Sequence, residues 1–307
     1  EKLFHVIDLP LPNESELFAM QEDLARGASV LDPSGKEVQM ATDLASARAA
    51  RGLTEFEAET AFALSLVREG RFSHRVIAEV KGQMIRKSGL MEFWEPADIA
   101  DVGGLENLKA YIRNRAAAFE SGNEHLPRPK GILLVGIPGT GKSLSCKATA
   151  SLLGWPLIRL DIGALKHSLV GESERRMREA TRVIEAFGEA IIWLDEVEKA
   201  FAGSQSSGQT DAGTTASMLG HFLTFMQETK APILVMATAN NISQLPPEFV
   251  RAGRFDALFF VDLPTITERR EIIRIMNRKY RSTIPEDAAV MALDGFTGAE
   301  IEQIAKD

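Results

Sequence analysis

The sequence predicts an α/β protein: a parallel five-stranded sheet sandwiched by helices, with a mostly helical segment before it and a small helical lid after it. Three observations predict this. From about Lys130 onward, short apolar runs alternate with segments of helical period. The runs are apolar at consecutive positions, as strands buried on both faces require. With 307 residues, 45% hydrophobic and 25% charged, the chain has material for a sizeable core and is too apolar for disorder.

Each element follows in order. Phe4-His5-Val6-Ile7-Asp8-Leu9-Pro10 reads as a strand leading to a helical pattern from Glu14, with a turn over residues 32–35. A junction at Glu95-Pro96 runs into Asp101-Val102-Gly103-Gly104. Buried strands are expected over residues 131–135, 157–160, 190–194, 233–237 and 258–261. Helices are expected over residues 143–153, 172–187, 214–228 and 268–279, with a flexible stretch over 203–215. Nothing after residue 279 reads as a buried strand, so a small helical piece should follow the sheet.

One internal repeat organises the chain. Phe259-Phe260-Val261-Asp262-Leu263-Pro264 and the helix from Glu268 repeat the opening strand and its helix. Gly52-Leu53-Thr54 before Glu57 is matched by Gly295-Phe296-Thr297 before Glu300. Two matches in the same order favour a repeat over coincidence. The chain therefore reads as a fragment of a tandem protein. Residues 1–94 are the last strand and helical lid of a degenerate preceding module, 95–263 the core of the next, and 264–307 the start of its lid.

Composition removes several function classes. Lys plus Arg number 35 against 43 Asp plus Glu, a formal charge of -8. That balance gives no general attraction to nucleic acid or anionic membrane. The single cysteine, Cys146, allows no internal disulfide. No apolar run approaches the roughly 18 to 20 residues of a membrane span.

The chemistry starts at Gly136-Ile137-Pro138-Gly139-Thr140-Gly141-Lys142-Ser143, which fits G-x-x-x-x-G-K-[ST] after a strand and at a helix start. Its glycines let backbone N–H groups turn inward onto phosphates, and the helix adds its positive end. Lys142 supplies charge for the β- and γ-phosphates, and Ser143 a hydroxyl for Mg²⁺. Pro138, Gly139, Thr140, Gly141 and Leu144 complete the phosphate-binding set. Asp195 and Glu196 end the strand Ile191-Ile192-Trp193-Leu194, where open α/β sheets place their ligands. Asp195 would serve Mg²⁺ and Glu196 would polarise the attacking water.

With these motifs the sequence resembles the AAA ATPases, within the larger AAA+ group, over about residues 97–306. The likeness is to the AAA proteins encoded in some chloroplast genomes and in cyanobacteria, which also carry a partial or degenerate module in front. The resemblance implies that Asp101, Val102 and Gly103 hold adenine by their backbone. It implies that Asn240, in Ala237-Thr238-Ala239-Asn240, orients the water. Arg251 and Arg254, in Arg251-Ala252-Gly253-Arg254-Phe255-Asp256, match arginine fingers acting on a neighbouring subunit, so a homo-oligomer of six in a ring is implied. Gly298 and Ala299 match the lid position near the nucleotide, and Met276 stands where many relatives carry a histidine near adenine and ribose. ATP and Mg²⁺ are the implied cofactors, and the cytoplasm, or the stroma of a chloroplast, the implied location.

Departures from the family pattern bear on what is acted upon. Leu169, before Val170-Gly171 in the pore-loop segment, replaces an aromatic that grips polypeptide, so short remodelling steps fit better than processive unfolding. Gln227 replaces an acid near the subunit interface, which would weaken coupling between subunits. The reading reached is an ATPase that couples hydrolysis in a ring to remodelling of a protein partner. The alternatives are a nucleotide-gated assembly scaffold and, against the acidic balance, a nucleic-acid motor or loader.

Overall fold

The computed structural model describes residues 11–27, 30–31, 37–38, 41–87, 89, 91–119, 126–166, 172–201, 209–251 and 253–307. The chain divides into two compact units, one ending at Gly89 and including Glu179–Gly188, the other formed by Leu90–Arg178 and Glu189–Asp307. The opening strand expected over residues 4–10 lies outside the described residues.

The first unit is mainly helical. α1 (Glu14–Gly27) is followed by the short antiparallel pair β1 (Val30–Leu31) and β2 (Glu37–Val38), then α2 (Leu44–Ala49), α3 (Glu55–Glu69) and α4 (His74–Lys87). Leu17, Leu53, Phe62 and Ile77 are buried together in its core. α3 starts where Thr54 accepts from the Glu57 N–H and Glu57 accepts from the Thr54 N–H, a reciprocal cap. It stops at Gly70, whose φ of 66° ends the helix without side-chain strain.

The second unit holds the sheet. In chain order it comprises β3 (Met91–Trp94), α5 (Glu106–Ala116), β4 (Gly131–Gly136), α6 (Lys142–Leu153), β5 (Leu157–Leu160), α7 (Ile162–Lys166) and the first part of α8 (Glu172–Phe187), whose residues from Glu179 onward count with the first unit. β6 (Ala190–Leu194), α9 (Val197–Phe201), α10 (Gln209–Glu228), β7 (Ile233–Ala239), α11 (Pro247–Val250) and β8 (Ala257–Val261) follow. The strand order is β3-β5-β6-β7-β4-β8, with β4 to β8 mutually parallel. Every residue of β4, β6 and β7 is buried. Ile132, Leu134, Ile191, Trp193, Leu234 and Met236 share one cluster. Each such side chain contributes about 1.5–3 kcal/mol by leaving water.

Three differences from the expectations stand out. β3 joins the sheet antiparallel to β5, a sixth strand just ahead of the boundary expected at residue 95. β8 is an edge strand, so its burial alternates: Leu258 and Phe260 are exposed where a doubly buried strand was expected. α10 begins at Gln209, so residues 209–215 are helical rather than flexible; residues 202–208 lie outside the described ones.

The lid consists of α12 (Ile266–Tyr280), α13 (Glu286–Ala292) and α14 (Gly298–Lys306), packed around Ile273, Val290 and Ile301. Buried Arg269 ties α12 to α13: it donates to Val290 O at 3.0 Å and Pro264 O at 2.7 Å and pairs with Asp294 at 2.8 Å. α14 starts as α3 does. Gly295 has φ 81° against 87° at Gly52, and Thr297 forms with Glu300 the reciprocal cap that Thr54 forms with Glu57. α12 starts with the same device between Thr265 and Glu268, and α1 with its counterpart between Asn13 and Glu16.

Candidate functional site

The parallel register brings three loops to one end of the sheet. β7 lies between β4 and β6, with Val135 opposite Ala239 and Leu194 opposite Ala237. The residues that leave these strands therefore converge: Gly136 onward from β4, Asn240 from β7, Asp195 and Glu196 from β6. This is the carboxyl end of the strands, where the order reverses around β4.

Gly136 is required by closeness. A Cβ there would meet Val261 O at 1.9 Å. Gly139 and Gly141 have φ of 82° and 95°, turning the chain into α6 at Lys142. Lys142 is buried, and its ammonium donates to Gly136 O and Ile137 O, each at 2.8 Å. Burial holds its pKa below the usual lysine range, against the opposing pull of Glu198, Asp195 and Glu196.

Thr238 organises the acids. Its hydroxyl donates to Asp195 Oδ1 at 2.7 Å and accepts from Glu196 N at 3.0 Å. Ser143 Oγ donates to the same Asp195 oxygen at 3.3 Å. Glu196 sits at φ 48°, a left-handed conformation that costs a non-glycine residue energy and is held here by the Thr238 bond. Its carboxylate accepts from Lys199 at 2.7 Å and from Asn240 Nδ2 at 3.1 Å. The Lys199 bond, more than any other contact, holds the Glu196 pKa below the usual carboxylate range.

Asn240 is fixed from behind by Glu198. Glu198 Oε1 accepts from Asn240 N at 3.1 Å and from Nδ2 at 3.0 Å. Glu198 is 3% exposed, and its Oε2 has no hydrogen-bond partner among the described residues.

Lys142, Ser143, Asp195, Glu196, Thr238 and Asn240 line a cavity of about 340 Å³ whose far end is lined by the lid and by residues 101–103. Gly103 and Gly104 pack so tightly on α12 that a Cβ would meet Ile272 at 2.7 Å or Glu268 at 2.5 Å. Glu271 accepts from Gly104 N at 2.8 Å, Glu268 from Leu105 N at 3.2 Å, and Arg278 donates to Asp101 at 3.0 Å. On the phosphate-loop side, Ala299 N donates to Gly139 O at 3.0 Å.

The cavity thus gathers the sequence candidates at residues 101–103 and 138–144, with Asp195, Glu196, Asn240, Met276, Gly298 and Ala299. Arg251 and Arg254 are not among its lining residues; Arg251 is exposed and Arg254 half-buried. Leu169 and Val170 lie outside the described residues. The sequence reading missed Thr238, Glu198, Lys199, Ile272 and Glu302. Thr238 stood within the quoted segment ending at Asn240. Glu302 follows Gly298 by four positions, one helical turn.

Residues 132–263 match the ATPase family associated with various cellular activities (AAA). Residues 30–88 match the SpoVK-like AAA ATPase, second domain. The "Uncharacterized AAA domain-containing protein ycf46" of Pyropia yezoensis is 40% identical over 97% of this chain and 61% of its own length. Its counterpart in Guillardia theta is 38% identical over 97% and 59%. The "ATP-dependent zinc metalloprotease FtsH" of Karelsulcia muelleri is 31% identical over 67% and 35%. The chain spans about three fifths of the length of the first two curated relatives.

Proposed function

We propose, for a chain that belongs to the AAA ATPases, that its cavity binds ATP and hydrolyses it to ADP and phosphate, driving a ring of subunits that remodels a protein partner. The observation that carries the reading is the convergence of Lys142, Ser143, Asp195, Glu196 and Asn240 on one cavity.

Lys142 would turn from the Gly136 and Ile137 carbonyls to the β- and γ-phosphates, while loop N–H groups at the start of α6 hold the phosphate oxygens. The donor set fits Mg²⁺: Ser143 and Asp195 offer two hard oxygens, and among the described residues no three His, Cys, Asp or Glu side chains converge to hold a metal by themselves. The ion would neutralise phosphate charge. Glu196 would accept the proton of the attacking water, with Asn240 holding its carboxylate in place.

Arg251 and Arg254 would act on a neighbour's nucleotide. Their absence from the lining of their own cavity supports an action in trans. That action supports a closed head-to-tail ring, hexameric in this family. Leu169 and Val170 would touch the protein substrate in the pore. The first unit would be the lid end of a preceding module, supported by the shared caps of α3 and α14 and by the match at residues 30–88. The cytoplasm or a chloroplast stroma is the proposed location; among the described residues no helix is long and apolar enough to cross a membrane.

Calorimetry of wild type and Lys142→Ala with Mg²⁺ and ATP tests the base of this reading. Wild type should bind and the variant should not. Equal affinity in the two would remove the phosphate loop from the site.

A further inference from the structure

Six lid residues line the cavity: Ile272, Ile275 and Met276 from α12, and Gly298, Ala299 and Glu302 from α14. Five carry apolar side chains or none. Glu302 carries a carboxylate, and a negative charge near a site for phosphates costs energy unless something is gained from it.

The surroundings of Glu302 keep it charged and fixed at one oxygen. Lys279 Nζ at 3.0 Å, Lys306 Nζ at 3.4 Å and the Tyr280 hydroxyl all meet the same oxygen, Oε1. Among the described residues no donor hydrogen-bonds to Oε2. The Tyr280 bond, with the two lysines, pushes the carboxyl down to about 2, so it is ionised at any working pH. Asp101, the other carboxylate at this end of the cavity, is already paired with Arg278.

Position then selects the ligand group. Glu302 is one turn beyond Gly298 and Ala299, which touch the phosphate loop at Gly139. Tyr280, its partner, is one turn beyond Met276. A nucleotide stretched from the phosphate loop to residues 101–103 places its sugar between those ends. Ribose hydroxyls are donors, and Glu302 is the lid's charged acceptor in the cavity wall.

We infer that Glu302 Oε2 accepts a hydrogen bond from a ribose hydroxyl of the bound nucleotide, so that the lid selects ribonucleotides over deoxyribonucleotides. The inference rests on the nucleotide reading above and adds the residue that reads the sugar. The same contact would give a lid otherwise apolar toward the cavity a polar hold on the ligand.

The test is equilibrium binding of Mg²⁺ complexes of ATP, 2′-deoxy-ATP and 3′-deoxy-ATP to wild type, Glu302→Gln and Glu302→Ala. Wild type should prefer ATP over at least one deoxy form by about 10- to 100-fold, the range of a hydrogen bond to a charged acceptor. The preference should shrink in Glu302→Gln, which keeps the shape and an acceptor for Tyr280, and vanish in Glu302→Ala. Affinity for the discriminated deoxy form should hardly change between proteins. Each ratio is taken within one protein, so a general loosening of the lid cancels. A preference that survives both substitutions, or is absent from wild type, overturns the inference while leaving ATP binding in place. A wild type that binds none of the three overturns the nucleotide reading with it.

Discussion

Asn240 Nδ2 donates to Glu196 Oε1 across 3.1 Å, one of the bonds that join the ends of the two neighbouring strands β6 and β7. The same nitrogen lies 3.0 Å from Glu198 Oε1, so one neutral amide is held between two carboxylates. Glu198 fixes the amide and the amide fixes Glu196. The carboxylate that would meet the water is therefore positioned through a chain of bonds, none of which involves the nucleotide.

Removing that hold should slow turnover without weakening binding. Asn240→Ala should lower kcat by about 10²-fold, the scale of an ångström's misplacement of a reacting group. The ATP dissociation constant should stay within about twofold, since ground-state contacts remain. Steady-state kinetics beside calorimetry check this. An unchanged kcat would show that Glu196 needs no orienting partner.

Thr238→Val keeps the shape of the side chain and deletes its hydroxyl. Asp195 loses a donor and the Glu196 N–H loses its acceptor at a left-handed residue. The cost should be about 1–3 kcal/mol of stability, together with a higher Mg²⁺ requirement for turnover. Thermal unfolding and a Mg²⁺ titration measure the two effects. Wild-type values in both would mean that the Glu196 turn is held by other contacts.

Arg254→Ala should bind ATP almost normally and lose most turnover, because a finger acts on the transition state. Glu196→Gln should also bind ATP and turn over very slowly. Mixed under conditions of subunit exchange, the two dead variants should recover some activity, since an interface pairing an intact glutamate with an intact arginine is complete. Specific activity of wild type should fall on dilution. No recovery despite proven exchange would place Arg254 outside catalysis in trans.

Glu302 should make the lid acid-sensitive in a defined window. Its pKa is lowered from 4.5 to about 2 by the Tyr280 and Lys279 bonds. A carboxyl depressed in the folded state stabilises above its unfolded pKa, and the contribution fades as pH falls through the folded value. Wild type should therefore be more stable than Glu302→Gln at pH 6, with the gap closing between about pH 4.5 and pH 2. Melting temperatures of both proteins across that range decide it, and a constant gap would argue against the network.

What the sequence revealed and what it hid follow one physical division. The phosphate loop and the Asp195-Glu196 pair were legible because each is a local run at a buried strand's end, whereas Asn240 was reached only through the family resemblance. Thr238, Glu198 and Glu302 act through partners 42, 42 and 22 positions away, a relation no local pattern carries. Strand order was hidden for the same reason. Phe259 and Phe260 look alike in sequence, and only the place of β8 at the sheet's edge exposes one of them. Met91–Trp94 was too short to be read as a strand without its partner β5.

The stretch from Asp101 to Leu105 is bolted to α12 at three points: Asp101 to Arg278, Gly104 to Glu271, Leu105 to Glu268. A lever and its load are joined there. If the lid swings, the stretch that forms the far wall of the cavity is pulled with it, so the affinity for a base seated against that stretch would become a gauge of lid angle. Reciprocity makes the converse hold: whatever affinity a base gains from one lid angle is the work with which its binding can turn the lid.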